Sequence, residues 1–331
     1  LLLADLLFDG QRYEEAAVEY ERTAYGYAGN PEASRAGYAA LVAYAEAESR
    51  APASRRAEVS ARAIESALQF AATFPDHAET PGVLTRTAKA LFDAGDRQRA
   101  ESVAQRVLAL GARADAGQQR VAWTVLAHTY FDAGRYAEAE VACSELARRL
   151  PVEDPLHGEA VERIAASVYR QGEAKQAAGD VQGAVQDFLR VAAVAPASPV
   201  RAAAEFDAAT LLIGAGAWAE AAGVLERFRR DHPGHALQAE VTRKLAVAYL
   251  EGGRPRDAAT EFDRIADTGS EPADVRRAAR WQAAELHASA GDVAAARRAY
   301  AAYVQEFPTP VAPAIEARHE LAFLARRAGD A

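Results

Sequence analysis

The residue types that could perform chemistry are few and lie far apart along the chain. The densest group is the segment DHPGH, in which Asp231, His232 and His235 could ligate a metal ion through imidazole nitrogens and a carboxylate. The segment GAGAWA at 214–219 fits the G-x-G-x-x-A pattern of a phosphate-binding turn, and Cys143 is the single thiol that could act as a nucleophile. Whether any of them performs such chemistry depends on the elements that position it.

Each of these candidates also has a structural interpretation. A dinucleotide-binding turn follows a strand, whereas a helix-like pattern precedes residues 214–219, so we interpret GAGAWA as a turn between helices. DHPGH lies in a proline-containing loop that resembles TFPDH at 73–77, and Cys143 occupies a helix position that faces a core. The motifs H-E-x-x-H and G-x-S-x-G do not occur, and no paired-carboxylate motif stands out. We therefore expect no enzymatic activity, no metal and no cofactor.

Composition excludes several classes of protein. Of the 331 residues, 50% are hydrophobic and 26% are charged, which is enough apolar material for a large core. The net charge of −9 argues against a nucleic-acid partner, since phosphate binding needs a concentrated basic surface. The single cysteine excludes a disulfide framework, and no apolar run reaches the roughly 18 to 20 residues of a membrane span. Because the chain opens with LLLADLLFDG, the second half of an apolar helical pattern, and contains no methionine, we expect it to be an excerpt truncated at both ends.

A turn motif recurs along the chain, since FDAG occurs at 92–95 and again at 131–134. The glycine of this motif belongs to a series that begins in FDGQRYEEA at 8–16, and from residue 95 onward its members are 37 to 45 residues apart. The members of the series are Gly10, Gly95, Gly134, Gly179, Gly216, Gly253, Gly291 and Gly329. The 85 residues between the first two leave room for two repeats, with the missing turn expected within ESRAPASRR at 48–56. Self-similarity at such a spacing indicates a repeat architecture.

The stretches on either side of each turn are rich in alanine and carry apolar residues at i, i+3, i+4 and i+7. This period predicts amphipathic helices, and the alternation typical of strands is missing from the sequence. Glycine ends the first helix of each pair because it adopts the left-handed conformation at low cost. Proline-containing segments such as TFPDH and EFPTP end the second helix. The repeating unit is therefore a helical hairpin.

The hairpin pattern resembles that of tetratricopeptide repeat (TPR) proteins, W-x2-L-G-x2-Y followed by A-x3-F and P. The unit that matches it best carries Trp123, Leu126, Ala127, Tyr130, Gly134, Tyr136, Ala139 and Pro151, with Cys143 where the pattern has Phe. The resemblance implies an all-α, right-handed superhelical solenoid of about eight antiparallel helix pairs, in one array over 1–331. The expected repeats are 1–30, 31–78, 79–115, 116–153, 154–198, 199–235, 236–272, 273–310 and a partial unit at 311–331. Their length makes the chain similar to TPR arrays of bacterial envelope proteins, such as outer-membrane assembly lipoproteins and the division coordinators of the Tol–Pal system.

In the TPR family, the fifth, ninth and twelfth positions of each first helix face the concave groove. Carried over to this sequence, the resemblance implies a partner-binding groove of Lys89, Phe92, His128, Phe131, Tyr169, Phe206, Arg243, Trp281 and Glu285, with Thr85, Thr124, Glu173, Gln176, Thr210 and Val247 at further inward positions. The set lacks the Lys, Asn and Arg constellation that clamps a terminal carboxylate in chaperone-docking TPR domains. Aromatic and arginine side chains are typical anchors of protein interfaces, so we expect a protein or peptide partner. The alternative for each aromatic is that it packs between repeats.

Two positions depart from the pattern. Gln171 and Lys175 of the fifth repeat stand where Leu and Tyr are expected, which indicates either a hinge or polar pocket in the groove or a longer helix with a shifted register. His287 replaces an aromatic residue at a packing position, where a core or rim histidine is the simplest interpretation.

Two hypotheses for function follow. In the first, the chain is a non-enzymatic scaffold or adaptor that holds a partner in a bacterial envelope assembly, in the periplasm or at the outer membrane. In the second, it is a structural spacer or oligomerisation module of a larger protein whose other domain is missing from this chain, an interpretation that allows a homo-oligomer. A cytoplasmic TPR regulator is the alternative location.

Overall fold

The computed structural model describes residues 1–328, and every regular element in that range is helical. The α-helices, in chain order, are α1 (Leu2–Asp9), α2 (Tyr13–Tyr25), α3 (Ala33–Arg50), α4 (Ala53–Thr73), α5 (Thr80–Asp93), α6 (Arg97–Ala109), α7 (Ala116–Asp132), α8 (Tyr136–Ala147), α9 (Pro155–Ala177), α10 (Val181–Val194), α11 (Val200–Gly214), α12 (Trp218–Asp231), α13 (Gln238–Glu251), α14 (Pro255–Asp267), α15 (Ala273–Ser289), α16 (Val293–Glu306) and α17 (Val311–Ala328). This confirms the expected all-α class. Short turns join consecutive helices into hairpins.

The chain divides into two compact units, Leu1–Ser167 and Val168–Ala331. Neighbouring helices in the chain pack on one another from α1 to α8 and from α10 to α17, as a stack of hairpins requires. The helices fall in pairs inside the expected repeats, from α1 and α2 in 1–30 to α15 and α16 in 273–310. A single continuous array over 1–331, and the repeat boundaries themselves, stay predictions.

Six turns between first and second helices share one backbone conformation. The glycine in each has a left-handed φ, between +72° and +83°, and the next residue donates its N–H to the carbonyl five residues earlier at 2.8–2.9 Å. In the turn at Gly95, for example, Asp96 N–H bonds the carbonyl of Leu91 at 2.9 Å. This is the Schellman arrangement, which satisfies helix carbonyls that have no partner within the helix.

The first turn of the series differs from our expectation. Gly10 has a φ of −74°, and the left-handed residue is Gln11 with a φ of +60°. Arg12 N–H bonds the carbonyl of Leu7 at 2.9 Å, so the turn has the same hydrogen bond with glutamine in the glycine position. The missing turn is made by Ala51 and Pro52, inside 48–56. Gly329, the last glycine of the series, lies outside the described residues.

Alanine forms much of the interface between helices. Ala139 and Ala221, each on the second helix of its hairpin, are completely buried, which lets the two helices of a hairpin approach closely. Large side chains fill the remaining space, and Phe70, Phe188 and Phe228 are each 0% exposed. The core is therefore a series of layers, one between each pair of neighbouring helices.

The fifth repeat contains the longest described helix, since α9 has 23 residues. Lys175 Nζ lies 2.7 Å from the carboxylate of the buried Asp187 in α10, and Gly172 lies directly against the ring of Phe188. The long, continuous helix favours the shifted-register interpretation over a hinge. Lys175 is accommodated in this helix because Asp187 supplies an ionic partner.

Buried charge is confined to the second unit. Among the described residues, the buried charged or imidazole side chains are Asp187, Glu205, Glu261, Arg280 and His287. Glu261 receives two hydrogen bonds from Arg229 of the preceding hairpin, at 2.8 and 2.6 Å. Such pairs are weak evidence of net stabilisation, but breaking one partner would leave a buried charge, so they favour one register between neighbouring hairpins.

Candidate functional site

The expected groove residues of the first unit lie on α5 and α7. Phe92 is half-buried, with the guanidinium carbon of Arg97 3.8 Å from its ring centroid and the imidazole of His128 at 5.7 Å in an edge-on arrangement. His128 belongs to the next first helix, so this contact links two hairpins. Lys89 is exposed and bonds Asp93 at 2.6 Å, one turn further along the same helix.

Phe131 repeats the arrangement one hairpin later. Its half-buried ring has Tyr136 edge-on at 5.4 Å and the guanidinium carbon of Arg163, from α9, 5.2 Å from its centroid. Phe92 and Phe131 both stand three residues before a turn glycine, so the same helix position carries the ring in both repeats. In the first unit, each ring therefore meets a cation or imidazole from the following hairpin.

The second unit has a comparable contact on α11. Phe206 is half-buried, and the ammonium nitrogen of Lys244 in α13 lies 5.1 Å from its ring centroid. Tyr169, on α9, donates its hydroxyl to Asp207 of the next first helix at 2.6 Å, and burial together with this hydrogen bond raises the pKa of Tyr169. Both rings thus bridge neighbouring first helices.

The remaining groove candidates are engaged in other ways. Arg243 bonds Glu240 at 2.5 Å and Glu271 at 2.6 Å, so its charge is compensated. Trp281 is half-buried and packs edge-on against Tyr300 at 5.6 Å and Tyr303 at 5.2 Å, inside the α15–α16 hairpin. Glu285, one turn further, is exposed.

The further inward positions are half-buried or exposed, with one exception. Thr85 is buried, and its hydroxyl donates to the carbonyl of Pro81 in the same helix at 2.8 Å. Thr85 therefore does not line a surface, contrary to the inference from the resemblance. The reason is that its short side chain satisfies its polar group locally and leaves the methyl group for packing.

Electrostatics near Phe92 favour a neutral imidazole. Burial, and then the positive charge of Arg163, lower the pKa of His128. The ring of His128 can therefore take part in aromatic packing near neutral pH without the cost of burying a charge.

The groups that could have performed chemistry are built into the scaffold. His232 Nε2 lies 3.0 Å from the buried carboxylate of Glu205, while Nδ1 of His235 accepts the backbone N–H of Leu237 at 3.2 Å. His287 Nε2 lies 2.8 Å from Asp263. Within residues 1–328, no three or more His, Cys, Asp or Glu side chains converge as metal ligands.

The two remaining motifs are also structural. Cys143 is completely buried in α8, and burial raises the pKa of its thiol to about 11, so little thiolate exists at neutral pH. Gly216 of GAGAWA forms the left-handed turn between α11 and α12, with a helix before and after it. Neither position has the context that the corresponding chemistry requires.

A pocket that sequence reasoning did not find lies in the first unit, between α3, α4 and α5. Its volume is about 450 Å³, and Leu41, Val42, Ile64 and Val83 are among its lining residues. One sequence signal could have indicated it. The 85 residues between Gly10 and Gly95 exceed twice the 37- to 39-residue spacing of most other turn glycines, which favours a longer repeat in this part of the chain.

The family comparison agrees with the helical hairpins. Residues 243–309 match the family model of the tetratricopeptide repeat. The match includes most of α13 and the whole of α14, α15 and α16. Together with the fold, it supports a tetratricopeptide repeat protein, a class typical of protein–protein interaction scaffolds. No curated protein matches the chain.

Several solved structures of helical repeat proteins are similar to this chain. PilW, a type IV pilus biogenesis factor, has 15% identity and a TM-score of 0.31, over 70% of this chain and 95% of its own. YrrB, a TPR protein with an unusual peptide-binding site, has 16% identity and a TM-score of 0.32, over 63% and 96%. A tetratricopeptide repeat protein from Parabacteroides merdae has 15% identity and a TM-score of 0.29, over 94% and 99%.

Within residues 1–328, no helix combines the length and the apolar composition needed to cross a membrane.

Proposed function

We propose that this chain is a non-enzymatic protein–protein interaction scaffold that binds a protein or peptide partner along its first helices. One observation carries the proposal. The half-buried rings of Phe92, Phe131 and Phe206 each lie beside a cation or imidazole of the following hairpin. The same combination of residue types therefore recurs on the first helices of both units.

Two features of these rings support partner binding over packing alone. First, the rings are only half-buried, so each offers apolar surface that a partner can cover. Second, neither Arg163 nor Lys244 forms an ion pair within the described part of the chain, which leaves their charges available. Aromatic rings and arginines are the side chains that most often contribute strongly to binding energy at protein interfaces.

The proposal is tested by capture of partners with the full chain and with the double variant Phe131→Ala, Phe206→Ala. We omit Trp281 from the variant because it packs against the buried Tyr300 and Tyr303, and its loss would create a cavity. The control is Val141→Ser, which changes an apolar side chain that is 59% exposed on a second helix. Circular dichroism of each variant confirms that the helices are intact.

A partner retained by the wild type and the control, but lost by the double variant, would support the scaffold. Equal retention by all three proteins would refute the assignment of the first-helix surface. Capture of copies of this chain alone would favour the spacer or oligomerisation role instead.

We also propose a role in a bacterial envelope assembly, in the periplasm or at the outer membrane. The support is the resemblance of the long repeats to envelope TPR arrays. Fractionation of cells that express the native protein tests this location, since recovery in the cytoplasmic fraction alone would contradict it.

A further inference from the structure

The pocket in the first unit lies between two hairpins that differ in length. α3 has 18 residues and α4 has 21, whereas α5 and α6, which follow them, have 14 and 13. At a rise of about 1.5 Å per residue, α3 is longer than α5 by about 6 Å and α4 is longer than α6 by about 12 Å. A pocket of about 450 Å³ lies between α3, α4 and α5, and its lining on α5 runs from Val83 to Ala90.

The walls of this pocket are largely apolar. Leu41 and Val42 of α3, Ile64 and Ala67 of α4, and Val83 and Ala90 of α5 contribute to its lining. Val42 is 40% exposed, so part of this apolar surface faces solvent. A partner that covered it would gain free energy in proportion to the apolar area removed from water.

Charged side chains at the rim are arranged with opposite signs. Arg86, on α5, lines the pocket and has no ion pair or hydrogen bond within residues 1–328. Glu46 and Glu48 line it at the C-terminal end of α3, where the helix dipole adds negative potential. Glu46 lies 3.6 Å from Arg50, whereas the carboxylate of Glu48 has no ionic partner in the described range.

The helical walls also restrict the backbone of an occupant. Their N–H and C=O groups are bonded within the helices, so an extended segment would bury its own polar groups without partners. A helical segment satisfies these groups internally and presents only side chains. The lining extends from Tyr38 to Glu48 along α3, about 15 Å, which matches roughly ten residues of helix.

We propose that this pocket binds an amphipathic helix of a partner protein, with apolar side chains at i, i+3 or i+4, and i+7. The helix carries an acidic residue beside Arg86 and a basic residue at the end that faces Glu46 and Glu48. The inference rests on the proposed scaffold function and specifies the chemistry of one partner segment. It concerns α3, α4 and α5, and uses none of the aromatic rings that carry the scaffold proposal.

The test uses fluorescently labelled, alanine-based helical peptides and the full chain, with binding measured by fluorescence anisotropy. One peptide has leucines at i, i+3, i+4 and i+7, a central glutamate on the flank and arginines at one end. A second peptide has the same composition in scrambled order, and a third has lysine in place of the glutamate. The protein variants are Val42→Glu, Arg86→Glu and the matched control Val141→Glu, in which the exposed valine is on α8.

The proposal expects the patterned peptide to bind and the scrambled peptide to bind at least about tenfold more weakly. Val42→Glu should weaken binding about tenfold, while Val141→Glu should leave it unchanged. Arg86→Glu should weaken the glutamate peptide about two- to fivefold and strengthen the lysine peptide by a similar factor. Because Arg86 and Val42 are exposed, neither change should unfold the protein.

Equal binding of patterned and scrambled peptides would overturn the proposal, and so would unchanged binding by Val42→Glu or a charge exchange without effect. Failure of the pocket proposal can be distinguished from failure of the proposed scaffold function. If the captured partner is still lost by Phe131→Ala, Phe206→Ala while the peptides do not bind, only the pocket proposal fails.

Discussion

Replacement of Gly172 by alanine should show how closely α9 and α10 pack in the fifth repeat. A Cβ atom at this position would lie 2.7 Å from Cδ1 and from Cε1 of Phe188, whose side chain is completely buried. Real Cβ atoms are not found so close to a ring carbon, so the ring or a helix would have to move. Overpacking of this kind costs about 1–3 kcal/mol.

The same substitution also has a favourable term, because alanine is about 1 kcal/mol better than glycine inside a helix. Gly223 of α12 separates the two terms. A Cβ atom there would meet only the terminal nitrogen of Arg227, at 3.9 Å, which is an ordinary contact with a flexible side chain. Gly223→Ala should therefore stabilise the protein by about 1 kcal/mol, whereas Gly172→Ala should be neutral or destabilising by up to about 2 kcal/mol.

The assay is urea unfolding followed by circular dichroism, for both variants and the wild type under the same conditions. The difference between the two variants isolates the packing cost, since the helix-propensity term cancels. A double-mutant cycle with Phe188→Leu should recover part of that cost, because the smaller side chain leaves room for the new methyl group. If Gly172→Ala stabilised the protein as much as Gly223→Ala, the close approach of α9 to Phe188 would be refuted.

Three further predictions concern the first unit. Cys143, buried and with its pKa raised to about 11, should resist a thiol reagent at pH 8 until urea opens the α7–α8 hairpin; rapid labelling of the native protein would contradict this burial. The lowered pKa of His128 means that the unfolded chain binds this proton more readily. The contribution of neutral His128 to the free energy of unfolding is therefore fully present above about pH 6.5 and is lost as the pH falls through the folded pKa. In urea titrations at pH 5 to 8, His128→Gln should remove this part of the pH dependence of the free energy of unfolding. Gly134→Ala should destabilise the protein by about 1–2 kcal/mol in thermal or urea unfolding, because the turn needs a φ of +72°. The cost comes from the backbone alone, since nothing lies within 4 Å of the new Cβ atom. An unchanged stability would show that another turn conformation is available.

Sequence reasoning located the helical hairpins because the signals it used are local. The turn glycines are a property of single positions, and the apolar period is a property of single helices. Gln11 shows the limit of that approach. The backbone there adopts the glycine-like conformation one residue after Gly10, and the residue types alone do not reveal which of the two is left-handed.

The candidate site could be predicted only in part. Positions that face one side of a first helix followed from the repeat register, and Phe92, Phe131 and Phe206 are half-buried there with cations or an imidazole beside them. The sequence could not show that Trp281 packs into its own hairpin, because that contact depends on the positions of Tyr300 and Tyr303 on the neighbouring helix. The role of Phe92, Phe131 and Phe206 as a partner-binding surface stays a prediction.

The amino-acid sequence by itself determined the helical class, the hairpin unit and the places where most turns occur, since hydrophobic period, glycine and proline act within a few residues. Only the tertiary structure decided which side chains meet between helices. The pairing of Arg229 with Glu261, the approach of Gly172 to Phe188 and the pocket beside α3 all depend on how one helix is placed against another. That placement is set by close packing between side chains of different helices, where a shift of a few ångströms replaces a contact with a cavity.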